Sequence, residues 1–253
     1  MTRHFFADTA VLTGRSLRHI TRSPDTIITT TIMPIAFMLL FVYVFGGAIH
    51  AGSGPYVSYL LPGILLITIA SSISYTAYRL FMDMQSGIFE RFQSMPIARS
   101  SVLWAHVLTS LLASLVSLVV VILVALAMGF RSGAGLLAWL VVAGILVLFT
   151  LALTWFAVIA GLSAKTVDGA GAFSYPIIFL PFISSAFVLT STMPAPVRAF
   201  AQNQPVTPIV DAIRDLYMQQ AFSTAIWKAL GWCLAILVVG YTLAMATYRH
   251  KVT

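Results

Sequence analysis

Long apolar runs separated by short polar stretches make up most of the chain. Six runs stand out: Ile27–Gly47, Val57–Tyr78, Val102–Met128, Leu136–Leu162, Phe173–Leu189 and Ala229–Thr247. About 20 apolar residues cross the roughly 30 Å hydrocarbon core of a bilayer as a helix, and none of the six contains Asp, Glu, Lys or Arg. Backbone groups in lipid must be satisfied internally, so unbroken runs of this length predict helices rather than barrel strands. The first run starts late, is long and lacks a small-residue cleavage site, so it is expected to stay as the first span. The predicted fold class is therefore an all-α integral membrane protein with six transmembrane helices. One membrane domain, 1–253, would hold an interfacial helix over 1–26 and a six-helix bundle over 27–247.

The polar stretches carry patterns of their own. In the first 26 residues Arg15, Arg18, His19 and Arg22 share one helical face with His4 and Asp8, while Phe6, Ala10, Thr13, Leu17 and Ile20 share the other. That arrangement predicts an amphipathic helix on the membrane surface, its basic side at anionic headgroups. Ser23-Pro24-Asp25 then breaks it. Between the fifth and sixth runs, residues 190–228 contain Pro194, Pro196, Pro205 and Pro208. Thr207 with Pro208 predicts a helix start, and Ile209, Ile213, Leu216 and Tyr217 form an apolar stripe opposite Asp211, Arg214 and Asp215. Short external helices follow, either dipping into the outer leaflet or packed as a lid on the bundle. Between runs two and three, residues 79–94 read as a helix with Phe81, Met84, Ile88 and Phe92 on one face and Asp83, Glu90 and Arg91 elsewhere. Met95-Pro96 ends it.

Composition supports the membrane class. Hydrophobic residues make up 60% of 253 and charged residues only 8%, against about 25% charged in a soluble domain. Lys and Arg exceed Asp and Glu by 14 to 7, and topology explains the excess better than a nucleic-acid surface does. With the N-terminus inside, inner segments hold Arg3, Arg15, Arg18, Arg22, Arg79, Arg91, Arg99, Lys165, Arg249 and Lys251, and outer ones hold Arg131, Arg198, Arg214 and Lys228. That asymmetry predicts both termini in the cytoplasm. The lone Cys233 excludes an internal disulfide and Cys-based metal sites.

Several chemistries are missing. The sequence has no GxxxxGK[ST] loop for nucleotide, no HExxH pair and no GxSxG turn. Its five histidines lack metal-ligand spacing. No carboxylate lies in the spans, where proton- or sodium-driven carriers usually place one, so energy for uphill transport would have to come from another polypeptide. Hydroxyls do occur there. Thr68, Ser71, Ser72 and Tyr75 fall at i, i+3, i+4 and i+7 on the second helix, with Ser174, Ser184 and Ser185 on the fifth. They either join helices by hydrogen bonds or line a mildly polar path for an amphipathic substrate.

The stretch "DMQSGIFERFQSMPIARSSVLWAH", residues 83–106, adds a further signal. Its order, acidic–x–x–Ser-Gly–x–Phe-Glu-Arg-Phe–x–Ser-Met-Pro-Ile–x–Arg, resembles the cytoplasmic signature of type-2 ABC exporter permeases. The branch it resembles comprises the daunorubicin/doxorubicin-resistance permeases. The likeness extends over nearly the whole chain, including "NQPVTPIVDAIRDL" in the long external loop. It implies a coupling helix seated on a separate ATPase subunit that carries ATP and Mg, with no cofactor in this chain. Asp83, Gly87, Phe89, Glu90, Arg91, Phe92, Pro96 and Arg99 would form that contact. Two ATPase copies and a second permease copy or paralogue are implied as partners, with a drug, antibiotic, lipid or glycolipid as cargo. Many relatives place Gly-Lys where this chain has Ala105-His106, so a role tied to that lysine does not carry over. The competing readings are a stand-alone secondary transporter or channel, and a non-transporting scaffold.

Overall fold

Lipid-facing helices need no polar face, so their boundaries fall where charge, proline or glycine interrupts the apolar run. The computed structural model describes residues 25–46, 55–86, 99–218 and 223–252. The expected surface helix with Arg15, Arg18 and Arg22 lies outside the described residues, as does the elbow segment with Gly87, Phe89, Glu90, Arg91, Phe92 and Pro96.

Helix α1 spans Asp25–Leu39 and continues as a π-helical turn, Leu40–Phe45. Helices α2, Tyr56–Gln85, α3, Arg99–Ala127, and α4, Leu136–Ser163, follow. Three short pieces come next: α5, Val167–Ala172, α6, Ser174–Phe179, and a 3-10 turn, Leu180–Ile183. Helices α7, Ala195–Asn203, and α8, Val206–Tyr217, lead to the long α9, Thr224–Val252. Among the described residues five helices are long and apolar enough to cross a membrane.

The structure departs from the sequence reading in three places. The expected fifth span, Phe173–Leu189, is a broken apolar stretch, 167–183, shorter than a span. Pro176 and Pro181 remove two backbone donors there, and glycines at 169 and 171 weaken the helix ahead of them. The separate helix expected from residue 79 instead continues α2 to Gln85, because nothing between Tyr78 and Arg79 breaks the ladder. Ser86 ends it, its backbone N–H reaching Met82 O and its hydroxyl donating to Asp83 O at 3.0 Å. Finally, α8 starts from Pro205 rather than from a Thr207 cap; the Thr207 hydroxyl donates back to Ala201 O at 2.5 Å.

Helix α2 is the hub. Its most apolar stretch is 89% buried, against 22% for α1 and α9. It packs on α1, α3, α4, α5 and α6, so the other long helices turn an apolar face outward, where Ile32, Leu123, Leu136, Trp227 and Val238 are exposed. That is the burial expected when lipid replaces water. Two glycines let the hub's neighbours approach. A Cβ on Gly161 of α4 would meet Ala77 O of α2 at 2.8 Å, and one on Gly63 of α2 would meet Ala186 Cβ at 2.6 Å.

Candidate transport site

Polar side chains gather at both ends of α2, and the chemistry of each end follows from the local sequence. At the Tyr56 end Pro62 has no N–H, so the Ser58 carbonyl has no intrahelical donor four residues on. The Tyr217 hydroxyl of α8 donates to it. Tyr217 is 3% exposed, and burial pushes its phenol pKa up, which keeps the donor protonated.

The Arg214 guanidinium, one turn earlier on α8, donates to Tyr59 O at 3.0 Å and Ser185 O at 2.9 Å. It also lies over the Tyr59 ring at 3.9 Å and pairs with Asp211 at 3.1 Å. The circuit is closed by Ser185 Oγ donating to Asp211 at 2.6 Å and by the Tyr59 hydroxyl donating to Ser185 O at 3.0 Å. Burial raises the Asp211 pKa, while Ser185 and Arg214 partly offset it and Asp215 adds to it. The Gln204 side chain, just before α8, donates to Leu180 O at 3.3 Å and to Ile183 O. This clasp ties α8 to the start of α2 and to the broken stretch.

At the Gln85 end α2 meets α3 along a seam of polar rungs. Ser114 Oγ donates to Ser72 Oγ at 2.7 Å, and Thr76 and Ser110 share a hydrogen bond of 2.5 Å. Nearest the elbow, His106 Nε2 lies 3.3 Å from Asp83 Oδ2, with His106 13% and Asp83 34% exposed. Deeper along α3, Ser117 meets Thr30 of α1 at 3.2 Å. Beside the seam an open cavity of about 570 Å³ is lined by Ser71, Ser74, Tyr75, Tyr78, Asp168 and Tyr175, among others. It offers hydroxyls, phenol rings and one carboxylate on apolar walls, a surface suited to a molecule that is part apolar and part polar.

The residues singled out for a substrate path separate on this geometry. Ser71 and Tyr75 line the cavity. Ser72 is committed to Ser114, and Thr68, 0% exposed, donates to its own helix at Ile64 O. Ser174 donates to Gly171 O, and Ser184 to Pro181 O while accepting from Ala186 N. Ser185 belongs to the Arg214 clasp. Of the expected coupling residues, Asp83 is described and meets His106, and Arg99 begins α3. Sequence reasoning missed Asp168, Thr76, Ser110, Ser114 and the Asp83–His106 contact. The antiparallel register of two helices joined by a short connection offers a usable signal, because it pairs early positions of α3 with late positions of α2.

Comparison with known proteins decides what this arrangement serves. The family model described as ABC-2 type transporter matches residues 8–218. The chain belongs to the ABC-2 type transporter family. Within that family it is 28% identical to the daunorubicin resistance ABC transporter permease protein DrrB1 of Streptomyces coeruleorubidus over 229 residues, covering 90% of this chain and 81% of that protein. It is 26% identical to the probable doxorubicin resistance ABC transporter permease protein DrrC of Mycobacterium tuberculosis over 255 residues, covering 99% of this chain and 91% of that protein. The ABC-2 match spans α1 to α8, so the clasp, the seam and the cavity all lie within it. The membrane-crossing helices and this membership make the chain a multi-pass membrane protein.

Proposed function

We propose that the chain is the membrane-spanning permease subunit of an ABC exporter that moves a hydrophobic or amphipathic molecule outward. A separate ATPase subunit hydrolyses ATP and holds its Mg. The observation that carries this reading is the ABC-2 match over residues 8–218, together with relatives named as resistance permeases that the chain covers over 81% and 91% of their lengths. A drug, antibiotic or lipid entering the bundle would meet Ser71, Tyr75, Tyr78, Tyr175 and Asp168 in the open cavity. The remaining path residues, Thr68, Ser72, Ser174, Ser184 and Ser185, then hold the walls by their internal bonds.

In this reading both termini face the cytoplasm of a bacterial cell, α7 and α8 face outside, and the chain makes the fifth of six crossings through the broken 167–183 stretch and the residues after it. Arg15, Arg18 and Arg22 lie at the inner leaflet. Asp83, Gly87, Phe89, Glu90, Arg91, Phe92, Pro96 and Arg99 form the seat for the ATPase. Two ATPase copies and a second permease, identical or paralogous, complete the transporter.

Expression with the ATPase encoded nearest to it tests the assembly. The two polypeptides co-purify, and native mass measurement gives two ATPase copies with two permeases, either two of this chain or this chain with its paralogue. Purification of the chain with no bound ATPase, from cells that make both, contradicts the reading. A Glu90→Arg variant loses substrate-stimulated ATPase activity, and full retention removes Glu90 from the seat.

A further inference from the structure

The segment that resembles a coupling elbow lies between α2 and α3, and these two helices leave it as antiparallel legs. The link between the legs decides what a push on the elbow does. Unlinked legs splay apart and absorb the displacement, whereas cross-linked legs move as one lever. Asp83 lies in the last turn of α2 and His106 about two turns into α3, and their side chains meet at 3.3 Å. Away from the elbow the same helices are joined by Thr76–Ser110 and then by Ser72–Ser114. The contacts run down α2 as they run up α3, so they lie along a single seam.

The rung nearest the elbow differs from the rest. Packing alone would be served by an apolar residue, since the neighbours of His106 on α3, Leu103 and Val107, are both fully buried. An imidazole and a carboxylate between packed helices cost desolvation that an apolar pair would avoid. Arg79, one turn before Asp83 on α2, lines the same small cleft as His106, along with Thr76 and Ser110. Charge is thus concentrated where α2 leaves the elbow, and the rungs deeper in are neutral hydroxyls. Helix α2 also reaches more of the bundle than its neighbours do, packing on α1, α3, α4, α5 and α6.

We propose that Asp83 and His106 are positioning residues of the transport cycle: their contact closes the base of the elbow and makes α2 and α3 one lever, delivering displacement of the elbow to the hub of the bundle. The proposal rests on the exporter reading above. It assigns to His106 the cross-linking task, and to Asp83 a partner inside this chain as well as its place in the ATPase seat.

Two measurements on the complex with its ATPase test the lever. The first is substrate moved per ATP hydrolysed in proteoliposomes. His106→Ala, outside the ATPase seat, lowers this ratio about tenfold, the scale on which contacting side chains couple, while ATP hydrolysis continues; Asp83→Ala lowers the ratio at least as far. The exchanged pair, Asp83→His with His106→Asp, restores the ratio, and His106→Lys, which still offers a donor to Asp83, retains most of it. An unchanged ratio in the single variants, or a folded exchanged pair that stays as uncoupled as the singles, overturns the proposal. The second measurement needs no transport. Spin labels at the exposed positions Met82 and Leu112, in a Cys233→Ala background, give a narrow distance distribution. It broadens in Asp83→Ala and His106→Ala and narrows again in the exchanged pair. A distribution that stays narrow when the contact is removed refutes the lever, whatever the transport assay gives. Failure of the wild-type complex to transport would count against the exporter reading instead.

Discussion

At its Tyr56 end α2 is fastened by a guanidinium, a phenol hydroxyl, a stacked ring and a serine that bridges to a carboxylate. At its Gln85 end it meets α3 through one imidazole–carboxylate contact and two hydroxyl rungs. The first set grips backbone carbonyls of α2, which stay fixed while the helix exists, and of the turn at 185–186. The second joins side chain to side chain and so ties α2 to α3. A helix anchored at one end and joined to α3 at the other pivots about the anchor. The clasp thus reads as the fixed point and the seam as the place where displacement enters.

The largest effect that would break this comparison comes from Arg214. Its side chain is 12% exposed and serves several acceptors at once, so Arg214→Ala takes the cation from beside Asp211 and a charged donor from the Tyr59 and Ser185 carbonyls. A loss of about 3 kcal/mol follows, the upper end of the scale for hydrogen bonds from a charged donor, read as a lower unfolding midpoint in detergent. Next is Gly161→Val, whose Cβ would collide with the Ala77 carbonyl. Overpacking of that kind costs about 2 kcal/mol, measured the same way.

Tyr217→Phe strips the donor from the Ser58 carbonyl and costs about 1 to 2 kcal/mol. Adding Pro62→Ala gives that carbonyl its own helical N–H, so Tyr217→Phe costs less in the Pro62→Ala background. An equal cost in both backgrounds would show that Pro62 is not the reason Tyr217 is needed. At the other end Ser72→Ala removes a single rung and costs about 0.6 kcal/mol, the average for interhelical hydrogen bonds in a bilayer. A cost as large as that of Arg214→Ala would abolish the distinction between anchor and joint.

The smallest effect concerns pH. The Asp211 pKa is raised on folding, so the folded chain holds that proton more tightly than the unfolded chain. The resulting stability is present below the ordinary carboxylate range and fades as pH rises through the folded value. A shallow fall in the unfolding midpoint as pH rises above the ordinary carboxylate range is expected, and Asp211→Asn removes it.

The long spans were legible because lipid imposes one pattern, an uncharged apolar run, and α1, α2, α3, α4 and α9 follow it. The fifth run has the same composition, yet it folds as short pieces because Pro176 and Pro181 interrupt its ladder. Hydropathy alone does not register that break. The apolar stripe of α8 was readable from its period, and Ile209, Ile213, Leu216 and Tyr217 are all buried. Arg214 and Asp211 were placed on the opposite, polar face, but they turn toward Tyr59 and Ser185, which lie far away in sequence. Asp83 was assigned to the elbow by its neighbours in the chain, and its contact with His106 depends on the register of two helices. Only one wall of the cavity, Ser71 and Tyr75 on the hydroxyl stripe of α2, was readable, because the cavity also joins Thr29 of α1 and Asp168 of α5, which no local pattern connects.

The central claim is a permease that receives its energy from a partner, and reconstitution tests it most directly. Proteoliposomes holding the chain and its ATPase should move a fluorescent amphipathic drug only when ATP is supplied on the elbow side. Vesicles holding the chain alone, under an imposed proton gradient, should move none. Drug movement by the chain alone, driven by the gradient and indifferent to ATP, would contradict the account.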